Sequence, residues 1–233
     1  ALWLTLAEME LRADRFPEGK AAVAQALSLD REQAQTAVVL GCRLAETNSE
    51  AGYQPIDAVA DPLVIAAASP PDRHGYFSLG VSADYTASFI GRARFFLEVT
   101  DAMPQTFGRN QVHVSQVVGW CRSDRPLIEV PPKAPREADQ LIAGFVAERI
   151  PNGATIQTGI GAIPNAIMAA LADHRDLGIH TELLSDGVVE LIEAGVVNGV
   201  RKRLNRTKTV GTFALGTNRL HEFLHENTAV ELH

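Results

Sequence analysis

Cysteine is scarce in this sequence: Cys42 and Cys121 are the two among 233 residues. That number cannot build a disulfide framework, and it fits a reducing compartment with idle or buried thiols. Aromatic residues make up 6% of the chain. Long apolar runs are missing too; none approaches the roughly 18 to 20 residues that cross a bilayer. The apolar start from Ala1 to Ala7 is short, is followed by Glu8 and Glu10, and lacks the basic lead and small-residue cleavage site of a signal peptide. A cytoplasmic protein is expected. Positive charge is in deficit, at a formal net charge of -7, which argues against a nucleic-acid partner or an anionic membrane. One basic cluster stands out, Arg201, Lys202, Arg203, Arg206 and Lys208; it reads as a solvated loop, with a contact to nucleotide phosphates as the sharper alternative.

What is present is an ordinary globular composition, 46% hydrophobic and 21% charged, in two unlike parts. Residues 1–46 are rich in Ala, Leu and Glu with helical spacing. Pro17 stands where a helix would begin, and Asp30 caps another. Trp3, Leu6 and Ala7 recur 34 residues later as Ala37, Leu40 and Gly41. This resembles a tetratricopeptide repeat, although a plain helical hairpin explains it as well. Residues 47–55 read as a linker.

After that, short apolar runs alternate with helical segments. Strands are expected at 62–68, 94–99, 154–158, 178–183 and 207–215, and helices at 82–93, 136–149, 164–172, 188–194 and 218–225. The pattern predicts an α/β fold with an open, mostly parallel sheet and flanking helices covering both faces, preceded by the short helical repeat-like segment. The Pro-rich stretch Pro131-Pro132-Lys133-Ala134-Pro135 divides the region, so one domain is expected to end near 130 and the next to start near 136.

Two segments carry candidate chemistry. In Gly159-Ile160-Gly161-Ala162-Ile163-Pro164, glycines follow a strand and open a helix. Pro164 in the first turn leaves the helix's free N–H groups at the loop, where they attract an anion or a polarised carbonyl oxygen. The loop lacks the third glycine of the dinucleotide fingerprint, and a purely structural turn is the blander reading. The second segment is Gly178-Ile179-His180-Thr181-Glu182, at the end of a predicted strand, where ligand sites of open α/β sheets gather. Alternation places His180 and Glu182 on one face. Glu182 and Glu190 are the carboxylates best placed for chemistry, and Asp186 is expected to cap the next helix. A carboxylate sheltered from water can attack a thioester, giving a mixed anhydride and a thiolate. The N–H groups of Gly159 to Gly161 could then hold the oxyanion. No metal constellation stands out; His221 and His225, four residues apart, are expected on an exposed helix face.

Over residues 56–233 these motifs resemble the acetyl-CoA hydrolase/transferase family, nearest its 4-hydroxybutyrate and butyryl-CoA:acetate transferase branch. The likeness is carried by residues 69–86, from Ser69-Pro70-Pro71-Asp72 to Ser82-Ala83-Asp84-Tyr85-Thr86, by the glycine loop, by residues 177–187, and by Thr212-Phe213-Ala214-Leu215-Gly216-Thr217-Asn218-Arg219-Leu220. The resemblance implies that Glu182 forms a glutamyl-CoA thioester and that Gly159, Ile160, Gly161, Ala162 and Ile163 line the coenzyme A site. It implies acyl-CoA and a carboxylic acid as small-molecule partners and no permanently bound cofactor; on the charge balance no nucleic-acid or membrane partner is expected, and a homodimer is the candidate assembly. His113 matches a family segment without an implied role. The family's members carry a further N-terminal α/β portion and continue well beyond the point equivalent to His233. The expectation is a chain that is a piece of something longer, holding the nucleophile without the complete site. The rival functions are an acyl-CoA hydrolase, a helical-repeat binding module, and an inactive fragment.

Overall fold

The computed structural model describes residues 62–233. The repeat-like segment 1–46 and the linker 47–55 lie outside the described residues. Leu63–His233 forms one compact unit. Its strands and helices follow in this order: β1 (Leu63–Ala68), β2 (Tyr76–Ser78), β3 (Arg94–Val99), β4 (Phe107–Gly108), β5 (Gln111–His113), β6 (Val117–Arg122), α1 (Glu137–Ala147), β7 (Thr155–Ile156), α2 (Ala162–Ala170), β8 (Gly178–Ile179), β9 (Leu183–Leu184), α3 (Asp186–Glu193), β10 (Thr209–Gly211), β11 (Phe213–Ala214), α4 (Asn218–Leu224) and β12 (Val230–Leu232).

The α/β reading is correct. Strands β1, β3 and β6 form a parallel sheet in the order β1-β3-β6. On β3 the alternate residues Phe95, Leu97 and Val99 are buried, the period-2 pattern of a strand with one covered face. A second parallel set runs β7-β8 and β10-β12-β4. A bridge between His180 and Val210 joins the two groups. Strand β4, from before the Pro-rich stretch, thus completes a sheet built from residues after it. Strands β9 and β11 pair in parallel, and Ser82 bridges to Phe213 on their edge. Among the described strands, β2 and β5 pair in the antiparallel sense, as does the single Ser82–Phe213 bridge.

Each step from β7 to β8, β10 and β12 moves one place in the same direction across the sheet. Right-handed crossovers then put every connecting helix on one face. The helices do pack in sequence, α1 on α2, α2 on α3 and α3 on α4. Leu177, Ile179, Leu184, Leu220, Leu224 and Leu232 are 1% exposed or less and form the core beneath the helices. Each such side chain contributes roughly 1.5–3 kcal/mol by leaving water. The intervening residues face the other way, toward the segment 200–208, where Glu231 pairs with Lys208 at 3.8 Å. A Cβ on Gly178 would stand 2.5 Å from the Lys202 Cγ, so glycine lets that side chain lie flat on the sheet.

Several expected elements change form. The helix expected at 82–93 is a short 3-10 turn, Tyr85–Phe89. Asp84 ahead of it has φ 44°, and its carboxylate accepts from the Tyr85 N–H. The long strands expected at 178–183 and 207–215 are each broken in two. The break falls where the Glu182 carbonyl accepts from both the Thr212 and Phe213 N–H groups. The matched stretch 69–86 builds a buried polar hub: Ser78 Oγ accepts from the N–H groups of Gly80 and Thr106, and Ser69 Oγ accepts from the Ser78 N–H. Lys202 departs from the solvated-loop reading of the basic cluster. It is 5% exposed, and its Nζ donates to the carbonyls of Ile179 and Lys208, both at 2.7 Å.

Candidate active site

The glycine loop lies where the sequence puts it, between β7 and α2. Gly161 is the residue before the helix and has φ 118°, a backbone that side chains rarely adopt. A Cβ there would meet nothing within 4 Å, so conformation and not space requires glycine. The Asn165 N–H donates back to the Gly161 carbonyl at 3.1 Å, the first helical bond. Pro164 has no N–H to give. The N–H groups of Ala162 and Ile163 therefore point out of the helix start with no acceptor among the described residues, as helix geometry demands. Ile160 and Ile163 are exposed.

Glu182 stands in the break between β8 and β9. Alternation holds along this stretch: His180 and Glu182 are exposed and Thr181 between them is buried. The Thr181 hydroxyl donates to the Thr158 carbonyl at 2.8 Å and accepts from the Thr158 N–H at 3.1 Å. One buried threonine thus ties the residue before Glu182 to the residue before Gly159. The Glu182 carboxylate itself takes part in no hydrogen bond or ion pair among the described residues, and Glu182 lines neither of the two clefts that border the loop. The structure therefore brings the Glu182 strand end and the loop's start together through the backbone.

Two clefts border the loop. One, of about 270 Å³, lies between α1, α2 and β7 and reaches Thr158 and Gly159. The other, of about 300 Å³, is lined by Ile160, Gly161, Ser185, Asp186, Leu215 and the Pro-rich stretch around Pro131. Ser185, and not Asp186, is the residue that precedes α3. The expected capping role of Asp186 is replaced by another: its carboxylate accepts from the Thr217 N–H at 3.0 Å and the Thr217 hydroxyl at 2.5 Å. That joins the starts of α3 and α4. Glu190 lies on the exposed side of α3, near Arg219 at 3.5 Å.

The other singled-out residues have structural partners. His113 Nδ1 lies 2.8 Å from the Ser115 hydroxyl, and its ring lies against Tyr76 at 4.9 Å between centroids. The expectation of an exposed His221–His225 face is overturned. His221 is buried in α4, where burial holds its imidazole below the usual range against the opposing pull of Glu129 and Asp186. His225 follows the helix and accepts from the Gln105 N–H at 3.1 Å. No group of three metal-ligating side chains lies together among the described residues.

Comparison with known proteins then decides the lineage. The chain is 44% identical to the succinyl-CoA:cyclohexane-1-carboxylate CoA transferase of Geobacter metallireducens, over 78% of this chain and 40% of that protein. It is 42% identical to the 4-hydroxybutyrate coenzyme A transferase of Clostridium kluyveri, over 70% of this chain and 38% of that one. The chain is a relative of the CoA-transferases. A crystal structure of a 4-hydroxybutyrate CoA-transferase from Porphyromonas gingivalis superposes with a TM-score of 0.70 at 37% identity, covering 73% of this chain and 44% of that one. No family model matches the chain, so the tetratricopeptide likeness of residues 1–46 gains no support. The chain spans about two fifths of the length of the curated CoA-transferases it matches.

The polar hub at Ser78 and the buried Ser185 hydroxyl went unremarked at the level of sequence. The hub could have been found, because Ser69 and Ser78 both fall in a stretch that matches the CoA-transferases. Ser185 also falls in a matched stretch, residues 177–187, but nothing in the sequence marks its hydroxyl as buried and unpaired.

Proposed function

We propose that this chain carries the nucleophile of a CoA-transferase that moves coenzyme A between a short-chain acyl-CoA and a carboxylic acid. The acyl groups named for its relatives, 4-hydroxybutyryl, butyryl, acetyl and succinyl, set the class. The observation that carries the reading is the position of Glu182, unbonded in the break between β8 and β9, beside the Thr181 that clamps this stretch to the glycine loop.

In this reading the Glu182 carboxylate attacks the acyl-CoA carbonyl. The carbon–sulfur bond breaks, and an acyl-glutamyl anhydride and coenzyme A thiolate result. The thiolate returns to the glutamyl carbonyl and expels the first carboxylate, leaving a glutamyl-CoA thioester. The incoming acid attacks that thioester to form a new anhydride, and the thiolate takes its acyl group. Glu182 is thereby restored. Each attack puts negative charge on a carbonyl oxygen, and the free N–H groups at the start of α2 are of the kind that stabilise it. Gly159, Ile160, Gly161, Ala162 and Ile163 would line the coenzyme A site. Coenzyme A enters as substrate, with no permanently bound group, in a cytoplasmic setting; a homodimer is the assembly to test. No helix among the described residues is long and apolar enough to cross a membrane.

Incubation with butyryl-CoA or acetyl-CoA, followed by intact mass measurement, is expected to show one coenzyme A adduct that disappears in Glu182→Gln. Transfer that survives that substitution would refute the assignment. Exposure of Glu182 favours a second reading, thioester hydrolysis, because water can reach the intermediate; thiol release without added acid would select it.

A further inference from the structure

A pocket of about 420 Å³ is lined by Thr155, His180, Arg201, Lys202, Arg203 and Leu204, and by no carboxylate. Ile156 lines the cleft against α1 and α2, so its neighbour Thr155 and this pocket lie on the opposite face of β7. Two glycines make room for two of the cations. A Cβ on Gly153 would stand 2.4 Å from the Arg201 Cδ, and one on Gly178 would stand 2.5 Å from the Lys202 Cγ. Thr207 closes the loop that carries the basic residues: its N–H donates to the Gly199 carbonyl at 3.0 Å. Its φ of 66° is a backbone that a β-branched residue rarely adopts, and strain of this kind gathers at ligand sites. The charge assembled here is short of counter-charge. Arg201 pairs with Asp176 through its Nε at 3.2 Å. Arg203 takes part in no hydrogen bond or ion pair among the described residues. Lys202 is 5% exposed. Two of its three N–H groups meet the Ile179 and Lys208 carbonyls, and no carboxylate pairs with it among the described residues. A buried charge without a counter-charge is costly, and an anion in the pocket would supply one.

We propose that this pocket binds the phosphate of a small phosphate monoester, at a site separate from that of coenzyme A. Guanidinium groups carry paired N–H donors that bridge two phosphate oxygens, and Lys202 adds a point charge. Three cations answer a dianion better than the single charge of a carboxylate. The volume falls in the range of small-molecule pockets, which leaves room beside Leu204 for the organic group that bears the phosphate. Coenzyme A held on the glycine loop would lie across β7, against α1 and α2, so its own phosphates are not the anion meant here. The site goes beyond the transferase reading and stands without it.

Inorganic phosphate and glycerol 3-phosphate are the probes. The full chain is titrated with each at neutral pH and constant ionic strength, with chloride as the balancing anion, and binding is followed by calorimetry and phosphorus NMR. Both are expected to bind at one site and to displace one another. Arg203→Ala should weaken both about tenfold, the worth of a hydrogen bond to a charged group. Leu204→Glu, which keeps every cation but sets a carboxylate in the pocket, should abolish binding. Both residues are exposed, and thermal melts establish that each variant folds. Arg122→Ala, at an exposed arginine of β6 outside the pocket, should leave binding unchanged. No binding, binding that chloride reproduces, equal weakening by Arg122→Ala and Arg203→Ala, or an affinity that survives Arg203→Ala would overturn the proposal. Displacement of phosphate by coenzyme A would overturn it too, because the pocket would then belong to that substrate.

Discussion

Two carboxylates four residues apart, at the end of one strand and the start of the next helix, are treated in opposite ways. Asp186 is buried, and both its oxygens are taken up by Thr217. Glu182 is exposed and bonded to nothing among the described residues, although the threonine beside it is buried and doubly bonded. A charge that the fold uses must be bonded, because burying it unpaired is too costly. A charge left unbonded on a firmly held backbone contributes little to stability and stays available for reaction. The contrast separates a residue that joins α3 to α4 from one that the same framework only positions.

The sharpest way to break the contrast is Glu182→Gln. It is expected to abolish the coenzyme A adduct completely while changing the unfolding free energy from urea denaturation by no more than about 0.5 kcal/mol, the range for an exposed side chain without partners. A large loss of stability would show Glu182 to be structural after all. Asp186→Ala is expected to do the reverse at the level of folding. It leaves the Thr217 N–H and hydroxyl without their charged acceptor and should cost about 3 kcal/mol in urea denaturation. Lys202→Met keeps the buried stem but deprives the Ile179 and Lys208 carbonyls of a donor. A loss of about 2 kcal/mol is expected, read in the same way, with faster hydrogen exchange along β8. Ser185→Ala should stabilise the free chain by about 1 kcal/mol, because the hydroxyl it removes has no partner and the usual cap bond is absent.

The smallest effect concerns pH. The folded pKa of His221 is lowered by burial. Above about 6.5 both folded and unfolded forms carry neutral imidazole. As pH falls below that value, the unfolded chain takes up a proton that the folded chain resists, so stability declines toward acid. Glu129 and Asp186 pull the other way, and Glu98 and Arg125 line the same cleft. His221→Gln is expected to flatten the acid side of a thermal melting profile between about pH 5 and 6.5.

Much of the fold was legible. Strands β1 and β3 fall within a residue of their expected bounds, because each alternates or runs apolar over six residues. The helices α1, α3 and α4 were legible for the same reason at a period of 3.6. Strands β2, β4, β5, β6 and β12 were missed; four of them have two or three residues and carry no period to detect, and the six-residue β6 is interrupted by Gly119 and largely exposed. His221 was misplaced because its spacing from His225 specifies a shared helix face only if the helix continues, and α4 ends at Leu224. Glu182 was legible through its motif and its place after a strand. Its exposure, and the Thr181–Thr158 clamp that holds it, were not, because both depend on residues more than twenty positions apart.

The sequence by itself determined that residues 62–233 alternate strands with helices, that a glycine loop opens one helix, and that a glutamate follows the next strand. These follow from local periodicity and from the backbone freedom of glycine, which act within a few residues. Tertiary structure alone decided that the four helices pack one on the next, that Asp186 is spent on Thr217, and that Lys202 lies buried beneath β8. It also decided that the Ser185 hydroxyl has no partner. Each of these depends on which distant groups meet across the sheet, and hydrogen-bond satisfaction in the interior is settled only once they do.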